Sequence, residues 1–346
     1  MRCLVAAGSL RCLAKRRGGC DAPESVLAGY SNFLISVSRE VDTLEITLHE
    51  EYDVVDRFFL VESMHAHKLG VNKPLLWDRL KSTPRFAALA DKVTHIVVDD
   101  VDSVNATSTS TKVIWAEEFS ATAQGLQGVM AWQASAGASA FAPTDIFISG
   151  HVDEILARNV IASLAVCEMK HGVTSGGLWM PMGNLNRAFR TDWPSETSLP
   201  HSIAMPTIYQ FSELTSNTCC GHKHIPPFPG EYVAGGVHLT AYTLPVQHII
   251  KALSCTECSG TIDVQPENLD AHQEHAYNVE WADRCIPVTS LPENERYLLV
   301  YTPWFLACNP DRFPAWFGKP DYRTRVLALE LKIMQTRSSR KNRTIL

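Results

Sequence analysis

The sequence predicts an α/β fold with a mainly parallel central sheet and a loop-rich, aromatic-rich C-terminal half. Three observations predict it. Short apolar runs rich in β-branched and aromatic residues alternate with helical patterns through the first 160 residues, the order that βαβ units require. Each of those runs exits into carboxylates, and open α/β sheets bind ligands at the carboxyl ends of their strands. From about residue 170 the chain turns to Gly, Pro and aromatics, a composition of short strands joined by long loops.

The first 29 residues are basic, with no acid before Asp21. Their apolar stretches are too short and broken for a signal peptide, so they read as a disordered leader, with a targeting remnant as the alternative. "SREVDTLEITLHEEY" then places Val41, Leu44, Ile46 and Leu48 at helical spacing, which predicts a helix with its carboxylates facing outward. "YDVVDRFFLVES" follows as a buried strand and exits at Glu62. "KVTHIVVDDV" is a second strand, exiting at Asp99 and Asp100. "VNATSTSTK" is a polar loop by composition, and "TKVIWAEEFSATAQGLQGVMAWQ" a long helix weakened by Gly125 and Gly128. "TDIFISG" is the third strand, and it runs into His151, Asp153 and Glu154.

Beyond it, "GGLWMPMGN", "HIPPFPGEYVAGGVHLTAYT" and "YTPWFLACNPDRFPAWFGKPDYR" read as short strands and long loops. Trp179, Trp193, Trp281, Trp304 and Trp316 lie in this half, as core residues or as platforms for sugar faces. "YRTRVLALELKIMQ" reads as a last helix, and Arg337, Arg340, Lys341 and Arg343 form a solvated basic tail. The resulting organisation is a leader (1–29), a ligand-binding α/β half (30–160), a second half completing the site (161–330) and the tail (331–346).

Composition narrows the function classes. A net charge of −6 argues against a bulk nucleic-acid binder. No apolar run reaches the ~18 residues of a membrane span. Neither GxGxxG nor GxxxxGK[ST] occurs, so neither a dinucleotide fingerprint nor a P-loop is indicated. The ten cysteines leave three readings open: free thiols, disulfides, or a zinc held by Cys219, Cys220, His222, His224, Cys255 and Cys258. Asn105 and Asn342 sit in glycosylation sequons, a pattern common by chance.

The order and spacing of several short motifs resemble glycosyltransferase family 17, the family of the bisecting N-acetylglucosaminyltransferase. They are "DTLEITLHEEYDVVDRFFLVES", the Lys73-Pro74-Leu75 step, "HIVVDDV", "ISGHVDEIL" in place of a D-x-D-E-I-P-like motif, "GGVHLTAY" and "PVQHIIKAL". The resemblance runs from about Asn32 to Leu253, more weakly to Arg323. It implies a GT-A-like nucleotide-sugar-binding fold, with 30–160 as the nucleotide-sugar-binding half and 161–330 as the acceptor-binding and catalytic half. It also implies metal-assisted, inverting transfer of N-acetylglucosamine from UDP-N-acetylglucosamine to a mannose of an N-glycan, in β-1,4 linkage. The chemistry is coherent: a UDP leaving group needs a divalent cation, by expectation Mn2+, and hard cations take carboxylate oxygens. An inverting transfer also needs a general base.

The resemblance puts Asp153 on the second Asp of D-x-D, as a metal ligand and catalytic residue. Glu154 follows as a catalytic base or a supporting acid. His151 stands on the first Asp, as a metal ligand that is neutral where an acid is usual. Glu62, Asp99, Asp100 and His238 are the expected nucleotide-sugar contacts; plain strand-capping acids are the alternative for the first three, and a structural role for the His. The chain departs from the family pattern at Met64, Thr122 and Leu156 as well, where Asn, Arg and Pro are usual. A weak or inactive member that binds glycan or nucleotide sugar without transfer is therefore the rival reading. A metal-dependent hydrolase built on His151, Asp153 and His238 is a third. The family works in the Golgi lumen of the secretory pathway. That is the expected location here, with membrane association left to an anchor not recognisable in this sequence.

Overall fold

A computed structural model describes residues 10–12, 31–37, 40–65, 74–99, 116–136, 141–169, 172–182, 184–189, 202–214, 232–239, 285–294, 296 and 300–317. Asp100, Lys73, Trp193, Trp281, both sequons, the Cys219–Cys258 cluster, the "PVQHIIKAL" helix, the last helix and the basic tail lie outside these residues.

In chain order the elements are β1 (Leu10–Cys12), β2 (Ser31–Val37), α1 (Val41–Glu51), β3 (Arg57–Ser63), α2 (Leu76–Leu80) and β4 (Val93–Val98). Next come α3 (Ala116–Ala136), β5 (Ile146–His151), β6 (Glu154–Leu156), α4 (Arg158–Leu164), β7 (Cys167–Met169) and β8 (Val173–Trp179). Then follow β9 (Pro181–Met182), β10 (Asn184–Phe189), β11 (Ser202–Gln210), α5 (Phe211–Leu214), β12 (Tyr232–His238), β13 (Cys285–Pro287) and α6 (Trp304–Cys308).

Eight strands form one sheet in the order β4-β3-β2-β5-β11-β8-β12-β6. The β4-β3-β2-β5 half is parallel throughout. β11 is antiparallel to β5 and β8, β12 is parallel to β8, and β6 closes the edge antiparallel to β12. A mixed α/β fold with a large, mostly parallel sheet is the predicted class, and it is consistent with a GT-A-like fold. β9, β10 and β13 make a separate three-stranded sheet, and β1 pairs with β7.

Alternation along the parallel strands explains the layers. Phe58, Leu60, Ile146 and Ile148 share a core with Phe33, Ile35, Leu44 and Leu48, on the α1 side. Phe59, Val61, Val98 and Phe147 pack with Val129 and Ala121 of α3 on the other face. Both faces are covered, as parallel sheets require, and each fully buried Leu, Ile or Phe contributes about 1.5–3 kcal/mol. α3 runs through Gly125 and Gly128 without a break. A Cβ on Gly128 would stand 2.6 Å from Ile96 Cγ2, so this glycine brings the helix close to β4.

The sequence reading of α1 needs correction. Its carboxylates do not face outward: Asp42, Glu45, Glu50 and Glu51 are all buried. The helix is covered twice. Leu44 and Leu48 face the sheet. Ile46 packs into a second core with Trp179, Val237, Leu306, Phe313 and Trp316, so the C-terminal segment closes over the side expected to meet water. Burying an acid is costly unless it is paired, and partners are present. Arg85 reaches Glu45 at 2.7 Å and Asp42 at 2.5 Å, and Arg312 pairs with Glu45.

No helix among the described residues is long and apolar enough to cross a membrane.

Candidate functional site

The site is built where the parallel half of the sheet stops. β5 lies beside β2, with Ile35 opposite Gly150 and Ser36 opposite His151, so His151 is the last residue of an interior strand. The chain then turns through Val152 and Asp153 and re-enters the sheet as β6. β12 brings His238 opposite Glu154, and the Leu239 amide donates to the Asp153 carbonyl at 2.7 Å. A residue 85 positions downstream of Asp153 thus joins the turn through strand pairing.

His151, Asp153 and Glu154 offer one nitrogen and two carboxylate oxygens that all lie within 4.8 Å of one another. His151 Nδ1 is 3.2 Å from Glu154 Oε1, and His238 Nε2 is 3.3 Å from Asp153 Oδ2. Asp153 and Glu154 are buried, while the His151 side chain keeps 31% of its surface open. His238 thus turns its Nε2 toward the Asp153 carboxylate. Its Nδ1 lies 3.3 Å from the Met180 sulfur. Each acid thus has an imidazole nitrogen within 3.3 Å of a carboxylate oxygen.

The donor set fits a divalent cation. Two carboxylates suit a hard ion, and an imidazole suits a first-row metal of the manganese type. Ligand atoms across such an ion stand about 4.2 Å apart, twice a ~2.1 Å bond. Shifts of about half an ångström would bring the 4.8 Å cluster to that span.

The other expected residues sit along the same edge of the sheet. Glu62, two strands from β5, is fully buried and accepts the amides of Leu76 and Trp77, the latter at 3.2 Å. His95 Nε2 lies 3.0 Å from its second oxygen. Its carboxylate thus caps the N-terminus of α2, where the helix leaves orphan N–H groups. Asp99, at the end of β4, is exposed and stands 3.6 Å from His65 Nδ1. With strands about 4.8 Å apart, Asp99 is roughly 14 Å from the His151 turn, too far to join the cluster. Of the residues expected from sequence, the structure brings together His151, Asp153, Glu154 and His238, and leaves Glu62 and Asp99 apart from them. Thr122 lies buried within α3.

Sequence reasoning missed the groups that hold the turn from behind. Thr47 Oγ1 donates to the Val152 carbonyl at 2.6 Å, and Glu51 accepts the Leu156 amide at 3.2 Å. Their polarity does not single them out in a helix that also buries Asp42, Glu45 and Glu50.

No curated protein matches the chain. Residues 31–174, from β2 into β8, match the sequence model of glycosyltransferase family 17, and this match supports a glycosyltransferase enzyme.

Proposed function

We propose that the protein transfers N-acetylglucosamine from UDP-N-acetylglucosamine to a mannose of an N-glycan, in an inverting, β-1,4-forming reaction assisted by a divalent cation. The observation that carries this reading is the convergence of His151, Asp153 and Glu154 at the carboxyl edge of the parallel strands, inside the stretch matched by the family model. Asp153 and His151 would hold the cation, which when bound would offset the charge developing on the UDP leaving group. His238, whose Nε2 lies 3.3 Å from Asp153 Oδ2, would orient Asp153. Glu154, buried beside His151 at 3.2 Å, would take the proton of the attacking acceptor hydroxyl or steady the His151 ring. Asp99, exposed further along the edge, is the proposed contact for the nucleoside end of the donor. Mn2+ is the proposed ion, and the Golgi lumen the proposed place of work.

The rival, a member that binds without transfer, is motivated by His151: a neutral ligand in place of an acid removes one negative charge from the site. One assay separates the two. UDP release is followed with Mn2+, UDP-N-acetylglucosamine and a mannose-terminated biantennary N-glycan. Turnover that drops at least about a hundredfold in Asp153→Ala supports the enzyme. Mn2+-dependent UDP binding without turnover supports the rival, and no nucleotide binding with or without metal removes both. In the same assay His151→Asp should tighten Mn2+ by roughly tenfold or more, since it adds a charge a few ångströms from the ion. Weaker binding would refute His151 as a ligand position.

A further inference from the structure

We propose that Thr47 and Glu51 of α1 are positioning residues for the cation site, gripping the His151–Leu156 turn by its backbone on either side of Asp153 and Glu154. The inference rests on the reading of His151, Asp153 and Glu154 as that site.

Thr47 and Glu51 are four residues apart, so they share one face of the helix. Both are fully buried. The Thr47 hydroxyl lies 2.6 Å from the Val152 carbonyl and 2.9 Å from the Thr43 carbonyl. It has one proton, and the shorter contact marks its main acceptor. The Val152 carbonyl belongs to the peptide plane that leads into Asp153, so this bond sets the direction in which the Asp153 side chain leaves the turn. On the opposite flank, Glu51 Oε1 accepts the amide of Leu156, two residues past Glu154.

That second bond has a topological reason. β6 is the last strand of the sheet. Its inner side pairs with β12, and on its other side the Leu156 amide meets no strand among the described residues. Glu51 supplies the acceptor. From the sheet side, β12 holds the Asp153 carbonyl through the Leu239 amide. The turn is thus fixed by α1 on one side and β12 on the other, and Asp153 sits between the two anchors. Bonds of this kind, one shell behind metal ligands, typically change metal affinity 10–100-fold when removed.

Burial pushes the Glu51 carboxyl well above the usual carboxylate range, so Gln closely copies its neutral form and keeps an oxygen for Leu156. Ser likewise keeps the hydroxyl of Thr47. These conservative variants separate the hydrogen bond from the bulk of the side chain.

The test titrates Mn2+ into the full chain, reading free Mn2+ by electron paramagnetic resonance and the thermal midpoint on the same samples. Wild type should bind and Asp153→Ala should not. Thr47→Val and Glu51→Leu should each weaken Mn2+ by about tenfold or more, while Thr47→Ser and Glu51→Gln stay within about threefold of wild type. A merely structural role would lower the midpoint and leave the affinity of the folded protein unchanged, and that result overturns the proposal. So does equal loss in the conservative and disruptive variants. If Thr47→Val does not fold, Thr47→Ala against Thr47→Ser decides the same point. Should wild type bind no more Mn2+ than Asp153→Ala, the cation site itself falls, and the grip with it. If wild type binds and all four variants bind alike, the grip alone falls.

Discussion

Burial raises the carboxyls of Glu50 and Glu51 on α1. Desolvation raises the Glu51 carboxyl well above its ordinary value, against a smaller lowering from the Leu156 amide, while neighbouring Glu50 adds to the rise. Glu50 is also raised, again by desolvation first, with Tyr301, Trp304 and Arg158 pulling it back. A raised folded pKa means that the native state keeps a proton that the unfolded chain gives up above pH ~4.5. The stability tied to that proton is fully present below the unfolded pKa and is lost as pH rises through the folded one. Gln carries no such proton. The stability of Glu51→Gln relative to wild type should therefore grow between pH 5 and pH 8, by about 1.4 kcal/mol for each pH unit crossed below the folded pKa. Urea midpoints at the two pH values check this; an equal difference at both would mean that Glu51 is ionised in the native protein. His49 has the opposite sign. Burial and then Arg312 lower it, so its neutral ring, stacked 3.9 Å from Phe305, contributes stability above pH ~6.5 that is lost as pH falls.

At the scale of elements, the narrow fit is between β12 and β6. Gly236 has φ +147, and a Cβ there would meet the Ile155 carbonyl and stand 2.5 Å from a Leu178 methyl. Gly236→Ala should destabilise by more than about 1 kcal/mol and, by spreading β12 from β6, separate His238 from Asp153. The measurement is the denaturation midpoint together with the His238 proton resonances, and an unshifted pair of readings would show that the strands tolerate the methyl. β3, β4 and β5 were legible because each is a compact β-branched or aromatic run between polar residues. β2 was not singled out: buried Ser31 and Asn32 break its pattern, although it is the strand that joins β3 to β5. β11 was not singled out in a half whose composition reads only generally as short strands and long loops. The His151–Glu154 turn was legible because its donors are local. Thr47 and Glu51 were not, since each bonds a backbone group 105 residues away, and periodicity says nothing about such partners. The expectation of outward acids on α1 failed for the same reason, because the layer that covers them begins some 250 residues later.

At the scale of the molecule, α1 works as a strut between the sheet and the C-terminal segment. Glu50 is the joint. It accepts the Tyr301 hydroxyl, and the Trp304 amide at 2.6 Å. Arg158, donating to the Glu50 carbonyl at 2.5 Å, lies over the Trp304 ring at 5.0 Å. Trp179 of β8 donates to the Tyr301 carbonyl at 2.7 Å, so the segment is tied to the sheet as well. The apolar core shared by Ile46, Trp179, Leu306 and Trp316 lies under these bonds. Glu50→Ala would leave the Trp304 amide and the half-buried Tyr301 hydroxyl without their acceptor, and a fully buried group left so would cost about 1–3 kcal/mol, an upper bound for these part-buried ones. The expected loss is therefore roughly 1–3 kcal/mol, with Tyr301→Phe costing about 1 kcal/mol. If the strut joins the layers into one cooperative unit, tryptophan fluorescence and far-ultraviolet dichroism will shift to lower denaturant together, with the slope of the transition unchanged. Fluorescence moving first, with dichroism left behind, would show that the C-terminal segment comes away alone. The cation site would then keep its β12 anchor while the far side of α1 opened to water, and Mn2+ affinity measured in the gap between the two transitions would report what α1 contributes to holding the turn.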